Sequence, residues 1–114
     1  MTVRIFSPNE NVRDTDGTLR WSLVIRKTFR QTNQTVDTNA AKLPSSPLST
    51  RINILIVNNS TGGQILYIGD STVTTANGLP IYPRGSMQLS IEDSVDVYAV
   101  SSAAGADIRL VEGS

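Results

Sequence analysis

The residues best suited to chemistry in this 114-residue chain are a run of acids, Glu92-Asp93-Ser94-Val95-Asp96, with Asp70 a short distance upstream. Carboxylates gathered in this way suit a hard cation such as Ca²⁺, which takes several oxygen ligands. The spacing lacks the alternation of an EF-hand loop, and an acidic turn between two strands would read the same way. No metal or other cofactor is expected. Nucleophilic catalysis has equally little to work with. The chain contains no His and no Cys, which removes imidazole and thiolate as nucleophile, general base or metal ligand. A Ser-dependent hydrolase would need a Ser-Lys arrangement, and the only lysines are Lys27 and Lys42. The glycines of Ser60-Thr61-Gly62-Gly63-Gln64 and Ile68-Gly69-Asp70-Ser71 match neither phosphate-cradling pattern and read as turn formers. The sequence therefore predicts a protein that is not an enzyme.

What remains is recognition. Trp21, Tyr67, Tyr82 and Tyr98 could each stack on a ligand, but aromatics within strand patterns usually pack in a core or an interface. Tyr82, set between Pro80 and Pro83, is the aromatic expected to be an exposed contact residue. Charge supplies the other candidates. Ten Lys and Arg balance ten Asp and Glu, yet residues 1–51 carry about four more positive than negative charges and residues 52–114 the reverse. The basic residues are spaced out and interrupted by acids, which argues against a nucleic-acid-binding arm and for a surface complementary to an acidic protein partner, such as a neighbouring copy or a larger assembly. Arg20, Arg26, Lys27, Arg30, Lys42 and Arg51, together with Tyr82, are the predicted partner-binding residues.

The elements that would position these residues are strands. From residue 51 onward, turn residues separate short apolar runs at close intervals, as in a sandwich or barrel of antiparallel strands. In Arg51-Ile-Asn-Ile-Leu-Ile-Val-Asn-Asn59, Ile52, Ile54 and Ile56 fall on one face and Leu55 and Val57 on the other, which predicts a central strand covered on both sides. The Asn58 to Gly63 loop predicts a hairpin back into Gln64 to Gly69, and Ser101 to Ala106 a tight connection between the last two strands. Ser71 to Ser86 reads as a long shaped loop with turns at Asn77-Gly78 and Pro83-Arg84-Gly85. In Ser86 to Ile91, Met87, Leu89 and Ile91 alternate inward.

Upstream, Leu19 to Arg26 alternates like a strand, whereas residues 28–50 are polar, closed by Pro44 and Pro47, and too poor in apolar surface to fold alone. The expected organisation is an N-terminal segment over residues 1–50, made of a strand or strands and an extended docking arm, followed by a compact β-sandwich over residues 51–114. The expected fold class is all-β: a small antiparallel β-sandwich or barrel with a long, largely irregular N-terminal segment. No apolar stretch approaches a signal-peptide core or a bilayer span, so neither secretion nor a membrane partner is expected.

One stretch also looks familiar. The run Tyr67-Ile-Gly-Asp-Ser-Thr-Val73, then Asn77-Gly-Leu-Pro80, the Pro83-Arg-Gly85 turn and Ala103-Ala-Gly-Ala-Asp107 resemble a recurrent module of small tailed-bacteriophage virion proteins, over about Ile52 to Glu112. Proteins of that kind are head decoration, head-fibre or tail-associated components. The resemblance implies a β-sandwich that forms homo-oligomers, often trimers, on the particle, and it brings no catalytic residues. It implies a virion protein assembled in the bacterial cytoplasm, with other virion proteins as partners. The major capsid protein is the foremost of these for a decoration protein, with a neck, tail or fibre adaptor or adhesin as the alternative.

Overall fold

Short runs of apolar residues, most of them alternating with polar ones, build much of the observed structure. The computed structural model describes residues 3, 4 and 24–114. These form β1 (Val3–Arg4), β2 (Val24–Ile25), β3 (Phe29–Val36), β4 (Ala41–Leu43), β5 (Asn53–Asn58), β6 (Leu66–Gly69), β7 (Leu79–Ile81), β8 (Ser86–Leu89), β9 (Val97–Ser101) and β10 (Ala106–Gly113). No helix occurs among the described residues. β1 and β2 pair antiparallel, and the other eight strands form two four-stranded antiparallel sheets, ordered β3-β10-β5-β8 and β4-β9-β6-β7. The fold is all-β, a sandwich of two sheets, and the strand order is that of an eight-stranded jelly roll.

The core lies between the sheets. Val36, Ile54, Ile56, Ala106, Ile108 and Leu110 come from one inner face and Leu43, Leu66, Ile68, Ile81, Val97 and Ala99 from the other, with Met87, Leu89 and Ile91 packed at its margin. Burying a Leu or Ile side chain contributes about 1.5–3 kcal/mol, so this set supplies most of the driving force for folding. β5 is central and covered on both sides, as its apolar run predicted: Ile54 and Ile56 are inside, and Leu55 on the opposite face is also buried.

Three expectations are corrected. The boundary at residue 51 does not divide the structure, because β3 and β4 lie in different sheets and complete both of them. β3 is paired with β10 along all eight of its residues, from Phe29 opposite Gly113 to Val36 opposite Ala106. Its inward positions are Arg30, Thr32, Gln34 and Val36, so the strand adds little apolar area. It is held instead by the β10 ladder and by Gln34, whose amide donates to the Lys42 carbonyl at 2.9 Å and accepts from the Ser45 amide at 3.2 Å. The hairpin expected at Asn58 to Gly63 is also absent, and the tight connection at Ser101 to Ala106 joins strands of different sheets. β5 and β6 fall in different sheets, as do β9 and β10, so both loops cross from one sheet to the other. The strand expected over Leu19 to Arg26 is described only at Val24–Ile25; the remainder lies outside the described residues.

The crossing loops gather at the two ends of the sandwich. At the end where β10 begins, Asn58 donates its side-chain amide to the carbonyls of Gln64 at 2.9 Å and Ile81 at 2.8 Å, and its side-chain oxygen accepts from the Ser60 amide at 3.1 Å. Asp37 ties in the remaining loops: its carbonyl accepts from the Ser101 amide and its carboxylate from the Gly105 amide, each at 2.9 Å. At the opposite end, where β10 finishes, Arg51 and Glu112 do the equivalent work.

Candidate docking surface

The basic residues singled out in the sequence divide into two groups. Arg26 and Lys27 are exposed at the end where β10 finishes, and their backbone amides donate to the Ser114 carbonyl at 2.7 and 2.6 Å, which leaves both side chains directed by a fixed backbone. Lys42 lies on the outer face of β4, with Nζ 3.8 Å from the Asp96 carboxylate. Arg30 is partly engaged. Its guanidinium pairs with Glu112 at 2.5 Å and donates to the Ser46 carbonyl at 2.6 Å, although over a third of the side chain remains exposed. Arg20 lies outside the described residues.

Arg51 is the exception, and it is corrected from a contact residue to an internal one. It is 1% exposed, and its guanidinium donates to Glu112 at 3.2 Å and to the carbonyls of Glu92 at 3.0 Å, Val95 at 2.8 Å and Ile91 at 3.3 Å. Glu112, equally buried, also accepts from the Leu48 amide at 3.0 Å. The five-donor fork of arginine can satisfy several acceptors at once, which explains how one side chain can knot the 44–52 and 90–96 loops onto the last strand. Thr50, just before it, has φ of 59°, a conformation rare for a β-branched residue, and its amide is held by the Asp93 carboxylate at 3.0 Å. The chain is thus turned sharply so that Arg51 can enter the interior.

Contacts of this kind also engage Asp93 and Asp96 of the acidic cluster. Asp93 accepts from Thr50 and Asp96 faces Lys42, while Asp70 accepts from both the amide and the hydroxyl of Thr72, at 2.9 and 2.6 Å. The Thr72 hydroxyl, and then its amide, hold the Asp70 carboxyl below its ordinary pKa. Among the described residues, no three metal-ligating side chains converge.

Asp70 opens a loop whose shape depends on its glycines through close packing rather than positive φ. Val73 is buried, and a Cβ on Gly69 or on Gly78 would come within 2.8 Å of its Cγ2. The Asn77 side chain accepts from the Thr74 amide at 2.7 Å, closing the loop on itself. The Asn77-Gly78 turn signal therefore marks a place where side chain and backbone touch. In the Pro83-Arg84-Gly85 turn it is Arg84, not the glycine, that takes positive φ, at 71°.

The exposed large apolar residues are Phe29 at 55%, Leu79 at 59%, Tyr82 at 61% and Val95 at 50%. Tyr82 stands exposed as expected, but at the Asn58 end of the sandwich, away from the basic residues. Leu79 and Val95 flank an open apolar cleft where the β7 and β8 edges of the two sheets part. Its walls are Ile68, Leu89, Ile91 and Val97, with Asp70 and Asp96 at its rim. Its volume of about 270 Å³ falls just below the range typical of small-molecule sites. Two other open hollows occur, one of about 430 Å³ on the outer face around Asn33 and Arg109 and a mostly polar one of about 280 Å³ beside Asp70 and Asn77.

Sequence reasoning missed Phe29, Leu79 and Val95. Phe29 sits in a polar stretch and Leu79 beside a turn, so neither stands out, while Val95 alternates with Val97 and Ala99 and reads as one more strand residue rather than an exposed one. The chain matches no protein-family model, no curated protein and no solved structure.

Proposed function

We propose that the chain is a non-enzymatic structural protein of a tailed-bacteriophage virion, a capsid decoration or cement protein that binds the major capsid protein and stabilises the head. The observation that carries the proposal is the jelly-roll strand order, an architecture that recurs in viral capsid domains, combined with large apolar side chains displayed on both ends of so small a sandwich. The absence of His and Cys from the sequence and the resemblance over Ile52 to Glu112 support it independently. Fold alone does not fix function, so the exposed residues matter more than the strand order. Homo-oligomers, with a trimer as the expected form, belong to the same proposal.

A second reading, a neck, tail or fibre adaptor or adhesin, draws on one specific feature. Tyr82 projects at the tip of the sandwich beside Arg84, whose strained backbone amide donates to the Asn58 carbonyl and whose guanidinium donates to the Asn59 side chain. Binding of the purified chain to capsids that lack it separates the two. The decoration reading predicts saturable binding to the shell. Failure to bind such capsids, with the protein confined to the tail of complete virions, would contradict it.

A further inference from the structure

The apolar cleft and the residues best suited to fill it lie on opposite sides of the same sandwich. The cleft opens between β7 and β8, each at the end of its sheet. At the other two sheet edges are β3 and β4, and there Phe29 projects with over half its surface in water, next to exposed Arg26 and Lys27. Both features are at the end of the molecule where β10 finishes, since Phe29 pairs with Gly113 and the cleft is bordered by the loop that Arg51 ties to Glu112.

We propose that the chain self-associates head to tail, with Phe29 of one copy seated in the Leu79–Val95 cleft of the next and Arg26 and Lys27 set against the acidic rim. Charge complementarity selects a second copy as the occupant. The cleft carries Asp70 and Asp96 at its rim and exposed Glu92 and Asp93 in the adjoining loop. Arg51 bonds the backbone of that loop but is buried and paired with Glu112, whereas Lys42 meets the group from outside, 3.8 Å from Asp96 and with both side chains partly in solvent, a weak pair that an incoming cation can replace. The neutral chain thus presents an apolar knob with two positive charges and an apolar hollow with several negative ones. Such a contact uses different surfaces on the two partners, so it closes into a ring when the rotation allows. This inference rests on the homo-oligomer part of the proposed function and does not depend on the virion.

Sedimentation velocity on the full-length chain tests it, using Leu79→Asp to disable the cleft and Phe29→Asp to disable the knob. Both positions are largely exposed, so circular dichroism and melting should match the parent. The expected result is an oligomeric parent, two monomeric variants, and a heterodimer when the variants are mixed in equal amounts, because one intact interface then remains. Arg26→Glu with Lys27→Glu should also give monomers, and pairing that variant with Glu92→Lys should restore part of the association. A mixture that stays monomeric would overturn the head-to-tail geometry. Variants that keep the parent's mass would overturn the assignment of residues while leaving self-association standing. A parent that is monomeric at every concentration would overturn both.

Discussion

The two ends of the sandwich solve the same problem with different chemistry. Each must hold several loops that cross between sheets, and each uses buried polar side chains to do so. At one end Asn58, neutral and fully buried, bonds two carbonyls and an amide. At the other, Arg51 and Glu112 form a buried ion pair whose spare donors and acceptors go to the backbone. A neutral amide loses hydration modestly on burial, whereas two charges lose far more and recover it only when every partner is present. The amide end should therefore tolerate damage better than the ionic end.

The largest effect is expected from breaking the ion pair on one side. Glu112→Ala leaves the Arg51 charge buried without a counter-ion and should cost about 3–5 kcal/mol, read as a lower urea midpoint at unchanged slope. Replacing both partners, Arg51→Met with Glu112→Leu, should cost distinctly less than Glu112→Ala alone, because no charge is left stranded. Arg30, partly in water, can turn outward when Glu112 is removed and should add little.

Next in size is Asn58→Ala. It strands the carbonyls of Gln64 and Ile81 and should cost about 1–3 kcal/mol in the same measurement, less than the loss of Glu112. At that end too, Arg84→Gly should raise stability by less than about 1 kcal/mol, since relief of a left-handed backbone is partly offset by the entropy of glycine and the lost bond to Asn59.

The smallest effect is a titration. Because the folded Asp70 carboxyl ionises below its ordinary value, its bonds to Thr72 help stability at pH above the ordinary value and are lost as pH falls through the lower folded one. Thr72→Ala should move the Asp70 titration, followed by NMR, back up toward the ordinary value.

How much of this was legible in the sequence depends on the residue. The apolar alternation of β5, β8 and β10 is strong enough to mark core strands directly, and Tyr82 between two prolines was correctly placed in solvent. β3 was not legible, because Phe-Arg-Gln-Thr-Asn-Gln-Thr-Val draws its stability from a neighbouring strand and from the Gln34 bonds rather than from its own apolar content. Arg51 was misplaced for a related reason. Local sequence shows an arginine before an apolar strand, and only the fold brings in Glu112, far along the chain, as its partner. Loop destinations were hidden in the same way: glycine marks where the chain turns, not which sheet it turns toward.

The virion proposal is tested most directly by the copy number and position of the protein in intact particles, obtained by gel densitometry against the major capsid protein together with a particle reconstruction. Hundreds of copies spread over the shell are the predicted result. A handful of copies at one vertex or along the tail would contradict a decoration role and turn attention to Tyr82 and Arg84 as the binding tip.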